Sequence, residues 1–396
     1  MNALSFGAAH TITTSNATQL ESSSLSPREE MAERLPGFVQ PFLTWMTARP
    51  LPGEAYRIRT PLYHLFTALL MLGAGIVSSS AVFFLDEWFV AAILPLGSIL
   101  TTSGLGKLQA VIYHHCAHGT VFQRKKINQF VGRAIGIFLL VNHFDLYQKE
   151  HILHHKAKKL LTQDDEFASF IFGLCGLSAG TPKNILWRRI LLNFISPLFH
   201  IRFLFARVSS CLLSSSPGHN IIALVYWASL FFVVDFLSLW TMFTIIWLLP
   251  VVVLFQLATA LRVLCEHRFP SEPVMAVRDR RFIALTTAGV FAGSMPPITS
   301  AGIVDRLAGW GTWWLKMLSV HLFERLFVLV GDAPAHDYHH RHPGSRKWPS
   351  YIHEREADRA AGCPGYPVNY IENWGLFSAI DENLSSVSAA KRPLTL

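Results

Sequence analysis

Residues 65–85 read LFTALLMLGAGIVSSSAVFFL and carry no charged side chain. Residues 88–106, WFVAAILPLGSILTTSGLG, carry none either, and only Asp86 and Glu87 lie between the two stretches. About 20 apolar residues wound as a helix cross a hydrocarbon core of roughly 30 Å. The pair therefore predicts a transmembrane hairpin. A second region, from Ile221 to Leu261, holds Asp235 as its only charge. Helices over 220–236 and 239–261, turning near Asp235, fit it, although the first is short for a span. The fold class expected is all-α: a polytopic membrane protein with four transmembrane helices and a helical cytosolic cap.

The charges support this layout. Lys and Arg are absent from 63–106 and 221–261; five lie in 1–62, fourteen in 107–220 and fifteen in 262–396. The positive-inside rule puts those three segments, and both termini, in the cytosol. The chain is only 15% charged and 51% apolar, whereas a soluble domain carries about a quarter charged residues. The net charge of +8 follows the membrane layout, so a membrane surface is expected and a nucleic-acid partner is not. The five cysteines, 116, 175, 211, 265 and 363, are odd in number and show no CxxC spacing. They read as reduced cytosolic thiols. The N-terminus lacks a basic stretch leading into an apolar core, so a cleaved signal peptide is not expected.

Outside the spans, residues 1–30 are Ser- and Thr-rich and read as disordered. Residues 31–62 hold five prolines among aromatics and read as an irregular interfacial segment. Residues 63–345 form the membrane domain, and 346–396 a cytosolic C-terminal tail. Residues 189–207 suggest an interfacial amphipathic helix interrupted near Pro197, and 313–330 look similar.

Ten of the eighteen histidines fall in three clusters on the expected cytosolic side. YHHCAHGTVF, from Tyr113, holds His114, His115 and His118; KEHILHHK holds His151, His154 and His155; AHDYHHRHP holds His336, His339, His340 and His342. Neutral imidazole is a common metal ligand, and positions i, i+3 and i+4 share a helix face. Each cluster can thus aim two or three imidazoles at one point. Eight such ligands exceed what a four-coordinate zinc uses and suit two neighbouring metal ions. His267, just past the last span, is a candidate ninth. A single histidine near a membrane is ordinarily interfacial, the reading given to His10, His64, His143, His200, His219 and His353. His321, three residues before Glu324, is a candidate to assist a site. Asp164, Asp165, Glu266 and Asp337 are candidates to orient ligand imidazoles.

The order HxxxH, HxxHH, HxxHH, with hairpins before the first box and between the second and third, resembles the membrane fatty acid desaturase family over about residues 60–345. HHCAHGTVF is similar to that family's first box, usually H-D-C-G/A-H-G. HILHHK, followed by the acidic QDDEF, is similar to the second, and HDYHH to the third. The resemblance implies a non-haem diiron centre and dioxygen as co-substrate. It also implies electrons from NAD(P)H through a separate reductase and a ferredoxin or cytochrome b5. Carried over by position, the iron ligands are His114, His118, His151, His154, His155, His336, His339 and His340. His267 falls where the family often supplies one more.

Three features depart from the family pattern. His115 stands where the first box usually has an acid. RHPGSRKWPSYIHEREADRAAG replaces the HHLFP continuation of lipid desaturases. LRVLCEHRF is similar to bacterial members that act on small amino-acid-like or specialised substrates. HPGS at 342–345 falls short of the cytochrome b5 haem signature, so the electron donor is expected to be a separate protein. The bacterial-type resemblance implies an inner-membrane location with a cytosolic active site and an acyl or lipid-like substrate. No catalytic residue beyond the metal ligands is expected. A hydroxylase or a decarboxylase forming a terminal alkene would use the same ligand set. A non-enzymatic metal transporter would need ionisable groups within the spans, which hold essentially none.

Overall fold

The computed structural model describes residues 25–85, 91–298 and 302–390. The expected disorder of 1–30 falls mostly on residues 1–24, which with His10 lie outside the described residues, as does the Asp86–Glu87 link. From Pro27 onward the described residues are mostly helical.

Charge-free sequence and good capping produce the first long helix, Pro61–Ser80. Thr60 caps it and Pro61 starts it, the position where a missing N–H costs nothing. Against it lies the helix Ile93–Lys107. Small residues let the two backbones meet: a Cβ on Gly104 would sit 2.6 Å from the Leu72 amide nitrogen. Close approach of this kind is how helices pack where lipid removes the hydrophobic drive.

Among the described residues, three helical segments are long and apolar enough to cross a membrane: Pro61–Phe83, Pro217–Phe236 and Trp240–Glu266. The number rises to five if two bent pairs each count as one span. One is Lys125–Leu139 with Phe144–His154, bent by 106°; the other is Lys183–Ile195 with Pro197–Leu212, bent by 76°. The expected second span is a helix from Ile93, but its run of Thr, Ser, Gly and Lys107 dilutes its hydropathy. The turn near Asp235 is present, with Trp240 Nε1 donating to its carboxylate at 2.9 Å. The break at Pro197 is also present.

Two regions are more ordered than expected. Residues 31–62 carry the helix Gln40–Thr47, whose Leu43 and Met46 are fully buried against Trp313 and Met317. Residues 346–390, read from the sequence as a C-terminal tail, are packed on the rest of the chain. The helix Leu376–Ala389 buries Leu376, Ala379, Ile380, Leu384 and Val387, an i, i+3, i+4 stripe that faces a core. Asn383 Nδ2 donates to Leu264 O at 3.0 Å, tying this helix to the end of the last span. The chain is also not purely helical: strand β1, Gly289–Phe291, pairs in parallel with β2, Glu372–Trp374.

This small sheet helps to hold the third histidine cluster. Arg355, 1% exposed, donates to both Asp337 carboxylate oxygens, at 2.9 and 2.8 Å, and to Glu372 of β2 at 2.9 Å. Arg49 donates to the same Glu372 oxygen at 2.9 Å and pairs with Glu356. A buried ion pair adds little net stability against an apolar replacement, but it fixes geometry when every partner is satisfied.

Candidate metal centre

The helix that starts at Ile93 runs through a π-helical stretch, Leu108–Tyr113, into His114–Ala117. Such π-turns rotate the next helical turn relative to the preceding one and are frequent at functional sites. Here the π-turn immediately precedes His114, with His118 closing the helix. His151 and His154 end the helix Phe144–His154, and His155 caps it. The short buried helix His336–Arg341 carries the third cluster. His267 is the extended residue that ends Phe255–Glu266.

These nine histidines form two groups. The ligating atoms of His114, His118, His151, His155 and His339 lie within 4.8 Å of one another, and so do those of His154, His267, His336 and His340. Each cluster aims two imidazoles at one point, His114 with His118, His151 with His155 and His336 with His340, while the remaining member of each HxxHH run goes to the other group. On a helix, residues i and i+4 lie about 40° apart and i+3 falls about 60° to the other side. An HxxHH run therefore straddles two points. His151 and His155 serve the first group and His154 the second; His336 and His340 serve the second and His339 the first. The groups abut, with the His155 and His340 ring centroids 4.3 Å apart.

The nitrogens fit cations. His339 Nε2 is 2.8 Å from His114 Nε2 and 3.0 Å from His155 Nε2; His154 Nε2 is 3.1 Å from His267 Nε2. Metal–nitrogen bonds of about 2.1 Å meeting at right angles give an edge of about 3.0 Å. His154 Nδ1 faces Asp165 Oδ1 at 2.6 Å, and His151 Nδ1 faces Glu166 Oε1 at 2.8 Å. A carboxylate at Nδ1 keeps the proton there and leaves Nε2 as a lone pair. Lone pairs that converge at 3 Å suit a cation placed between them. Among the described residues, His118 Nε2 is buried with no hydrogen-bond partner. Burial first, then neighbouring imidazoles, pushes His155, His267, His339 and His340 well below the usual histidine value, so all four are held in the neutral, ligating form.

Of the four candidate orienting acids, only Asp165 touches one of these imidazoles. Asp164 pairs with exposed Lys159 at 3.1 Å, Glu266 pairs with Arg262, and Asp337 is spent on Arg355. The sequence reading missed Glu166, the next residue of the same acidic run, and Tyr351, whose hydroxyl is 3.1 Å from His339 Nδ1. It also missed Asp332, which meets His115 Nε2 at 2.9 Å. The run QDDEF was a visible signal for Glu166; nothing in the sequence marks Tyr351 or Asp332. His115 stays out of both groups. His321 pairs with Glu324 at 2.8 Å, and Glu324 also accepts from Leu376 N; this contact is structural. His64, His143, His200, His219 and His353 also stand apart from both groups.

A cavity of about 490 Å³ opens onto both groups, touching His114 and His151 of one and His154, His267 and His336 of the other. Tyr113, Phe167, Phe170, Phe203 and Phe255 supply much of its apolar wall. Its size is that of a small-molecule site.

The family described as Fatty acid desaturase matches residues 88–374, a stretch that includes all nine histidines. No curated protein matches the chain.

Proposed function

The chain belongs to the fatty acid desaturase family, and from that premise we propose that it is a membrane-bound diiron oxidoreductase. It uses dioxygen and external electrons to introduce a double bond into an acyl or other lipid-like chain. Family membership makes it an integral membrane protein and a desaturase-like oxidoreductase; the metal, the oxidant and the electron route are our reading.

The observation that carries it is the division of nine imidazoles into adjoining sets of five and four. The ligands are His114, His118, His151, His155 and His339 for one iron and His154, His267, His336 and His340 for the other. A bound iron pair supplies dioxygen activation and removal of hydrogen from an unactivated carbon. The protein's own part is positional. Asp165 and Glu166 hold the proton on Nδ1 of His154 and His151, which fixes ring orientation and raises ligand basicity. The Tyr351 hydroxyl meets His339 Nδ1. The aromatic wall of the cavity takes the chain and presents it to both sets.

Electrons come from NAD(P)H through a separate reductase and a ferredoxin or cytochrome b5. The distribution of Lys and Arg supports a four-span layout with the centre and both termini on the cytosolic side of the inner membrane. Residues 63–345 then act as the desaturase-like domain, together with the C-terminal segment packed on it.

Iron analysis of purified protein tests the reading. One iron per histidine set, with dioxygen consumption that depends on reductant, supports it. Activity and iron both fall in His154→Ala; full turnover in that variant would refute the ligand assignment. Mass spectrometry of lipids from cells with and without the gene then reads the outcome. Loss of two hydrogens marks desaturation, gain of one oxygen marks hydroxylation, and loss of the carboxyl carbon marks decarboxylation.

A further inference from the structure

A second cavity, of about 260 Å³, lies where the chain enters its first long helix, Pro61–Ser80. None of the nine histidines of the two sets lines it. Three of its wall residues nevertheless reach the metal region. Asp332 and Trp348 contact His115, and Tyr351 contacts His339. The cavity is thus a site apart from the reaction cavity that shares a wall with the metal centre.

One end of it is basic. Arg57, Arg59, Lys107 and Arg325 line it against two acids, Glu54 and Asp332, which leaves two positive charges in the lining. Both acids are already engaged. Glu54 accepts from the Thr44 hydroxyl and the Leu51 amide and lies 3.8 Å from Arg28, a further cation; Asp332 holds His115. Glu354, just outside, pairs with Lys347. Metal cations behind the shared wall add to the positive side of this balance.

The cations differ in what they have left to offer. Arg325 is spent on the carbonyls of Trp45, Leu329 and Gly331. Arg57 and Arg59 are exposed and, among the described residues, meet no acceptor; Arg59 lies over the Tyr63 ring at 4.7 Å. The Lys107 ammonium meets only the Thr67 hydroxyl, with Arg59 and Arg325 near enough to repel its charge. Like charges gathered round one hollow favour an anion within it.

The other end is apolar, formed by Met71, Leu326 and Val330. From His64 to Met71 the helix rises about 10 Å. Leu62, Phe66, Leu69 and Leu70 of the same helix are exposed, as a lipid-facing surface requires. A basic mouth where a spanning helix begins, with an apolar wall below it, has the polarity of a phospholipid. Arginine forks suit phosphate oxygens, and basic pockets between membrane helices take anionic headgroups. A free phosphate would use the basic end alone.

We propose that this cavity holds a membrane lipid with an anionic phosphate headgroup, its phosphate on Arg57, Arg59 and Lys107 and an acyl chain against Met71, Leu326 and Val330. The lipid is bound there and not oxidised, because no metal ligand lines the cavity. The site is a lipid subsite separate from the reaction, and the inference does not depend on the diiron reading.

The test is tryptophan-fluorescence melting of the full-length protein in an uncharged detergent. It is titrated with dioctanoylphosphatidylglycerol, dioctanoylphosphatidylcholine, dioctanoylglycerol and inorganic phosphate. The phosphatidylglycerol should raise the midpoint at concentrations roughly tenfold or more below those needed for the phosphatidylcholine and the diacylglycerol, as hydrogen bonds to charged donors allow. Inorganic phosphate, without the apolar contact, should need roughly a hundredfold more. In Arg59→Gln/Lys107→Gln the response to phosphatidylglycerol should weaken roughly tenfold or more. Lys125→Gln/Lys126→Gln, which removes the same charge from an exposed helix start that does not line the cavity, should leave it within about threefold of wild type. Arg57→Gln/Arg59→Gln, confined to exposed side chains, replaces the first variant if that one does not fold. Equal responses to the anionic and zwitterionic lipids, inorganic phosphate acting as well as the lipid, or equal losses in the cavity and control variants would overturn the proposal.

Discussion

His115 lies flat on Trp348, with ring centroids 4.1 Å apart and planes 8° from parallel. Its Nε2 is held by Asp332 Oδ2 at 2.9 Å, and it is fully buried. Both resources of the ring, its face and its outer nitrogen, are therefore spent on the protein. The residue that departs from the usual first box is a packing and hydrogen-bonding residue beside the metal sets. In His115→Leu the iron content should stay unchanged, while stability falls by about 1–3 kcal/mol because Asp332 loses its partner. Metal analysis and thermal melting on one preparation check this. Loss of an iron from the variant would instead make His115 a ligand.

Asp165 and Glu166 differ in how tightly they are held. The Asp165 side chain is fully buried and that of Glu166 is 26% exposed. Asp165 also accepts from the Leu161 and Phe167 amides, at 2.6 and 3.3 Å, so it cannot turn away from His154. Asp165→Asn and Glu166→Gln should each lower metal affinity, by about 10–100-fold, with Asp165 the costlier change. Competition with a calibrated chelator measures both constants. Equal, unchanged affinities would mean that neither carboxylate orients its histidine.

The sequence carried the metal centre further than it carried the fold. Hydrogen-bonding nitrogens at i, i+3 and i+4 are a local pattern, and all nine histidines singled out fall in the two groups. How an HxxHH run divides between two points is a matter of helix azimuth, and only the third dimension shows which member goes where. Asp332 and Tyr351 reach the site from elsewhere in the chain with no spacing rule to announce them. The packing of the C-terminal segment was hard to read because its apolar stripe, from Leu376 to Val387, is interleaved with Ser, Asp, Glu and Asn. Helix Ile93–Lys107 shows the opposite limit: its lack of charge before Lys107 was plain, but the close approach of its Gly97 to Ser79, its Gly104 to Leu72 and its Thr101 to Gly75 shows only in three dimensions.

Removing the metal should leave a protein that is sensitive to acid. His155, His267, His339 and His340 have native values pushed well below 6.5, first by burial. In the unfolded chain the same groups take up protons near 6.5. Between those values the unfolded state binds more protons than the native one, so stability falls as pH falls. Each such group costs about 1.4 kcal/mol per pH unit below 6.5. The chelated protein should therefore show a steep drop in melting temperature as the pH passes below about 6.5, and little change above it. A flat profile across that range would mean that the imidazoles are not held neutral in the native state.

Arg355 offers the sharpest separation of geometry from stability. It is fully enclosed and joins Asp337, next to His336, to Glu372 of β2. Arg355→Met leaves Asp337 as a buried charge without a partner, which costs about 3–5 kcal/mol. Glu372 loses less, because Arg49 still reaches it at 2.9 Å. The double variant Arg355→Met/Asp337→Leu removes the stranded charge and should recover most of that stability, since apolar replacement of a whole buried pair is often neutral. Metal retention should not recover in step. The helix His336–Arg341 is only six residues long; the bidentate contact to Asp337 holds its N-terminal end, and Arg341 donating to the Val368 and Asn369 carbonyls holds the other. Denaturation curves and iron analysis on both variants read the two quantities separately. If stability and metal content recover together, the Arg355–Asp337 pair is a packing element like any other; if stability returns without the metal, its part is to aim the third histidine cluster.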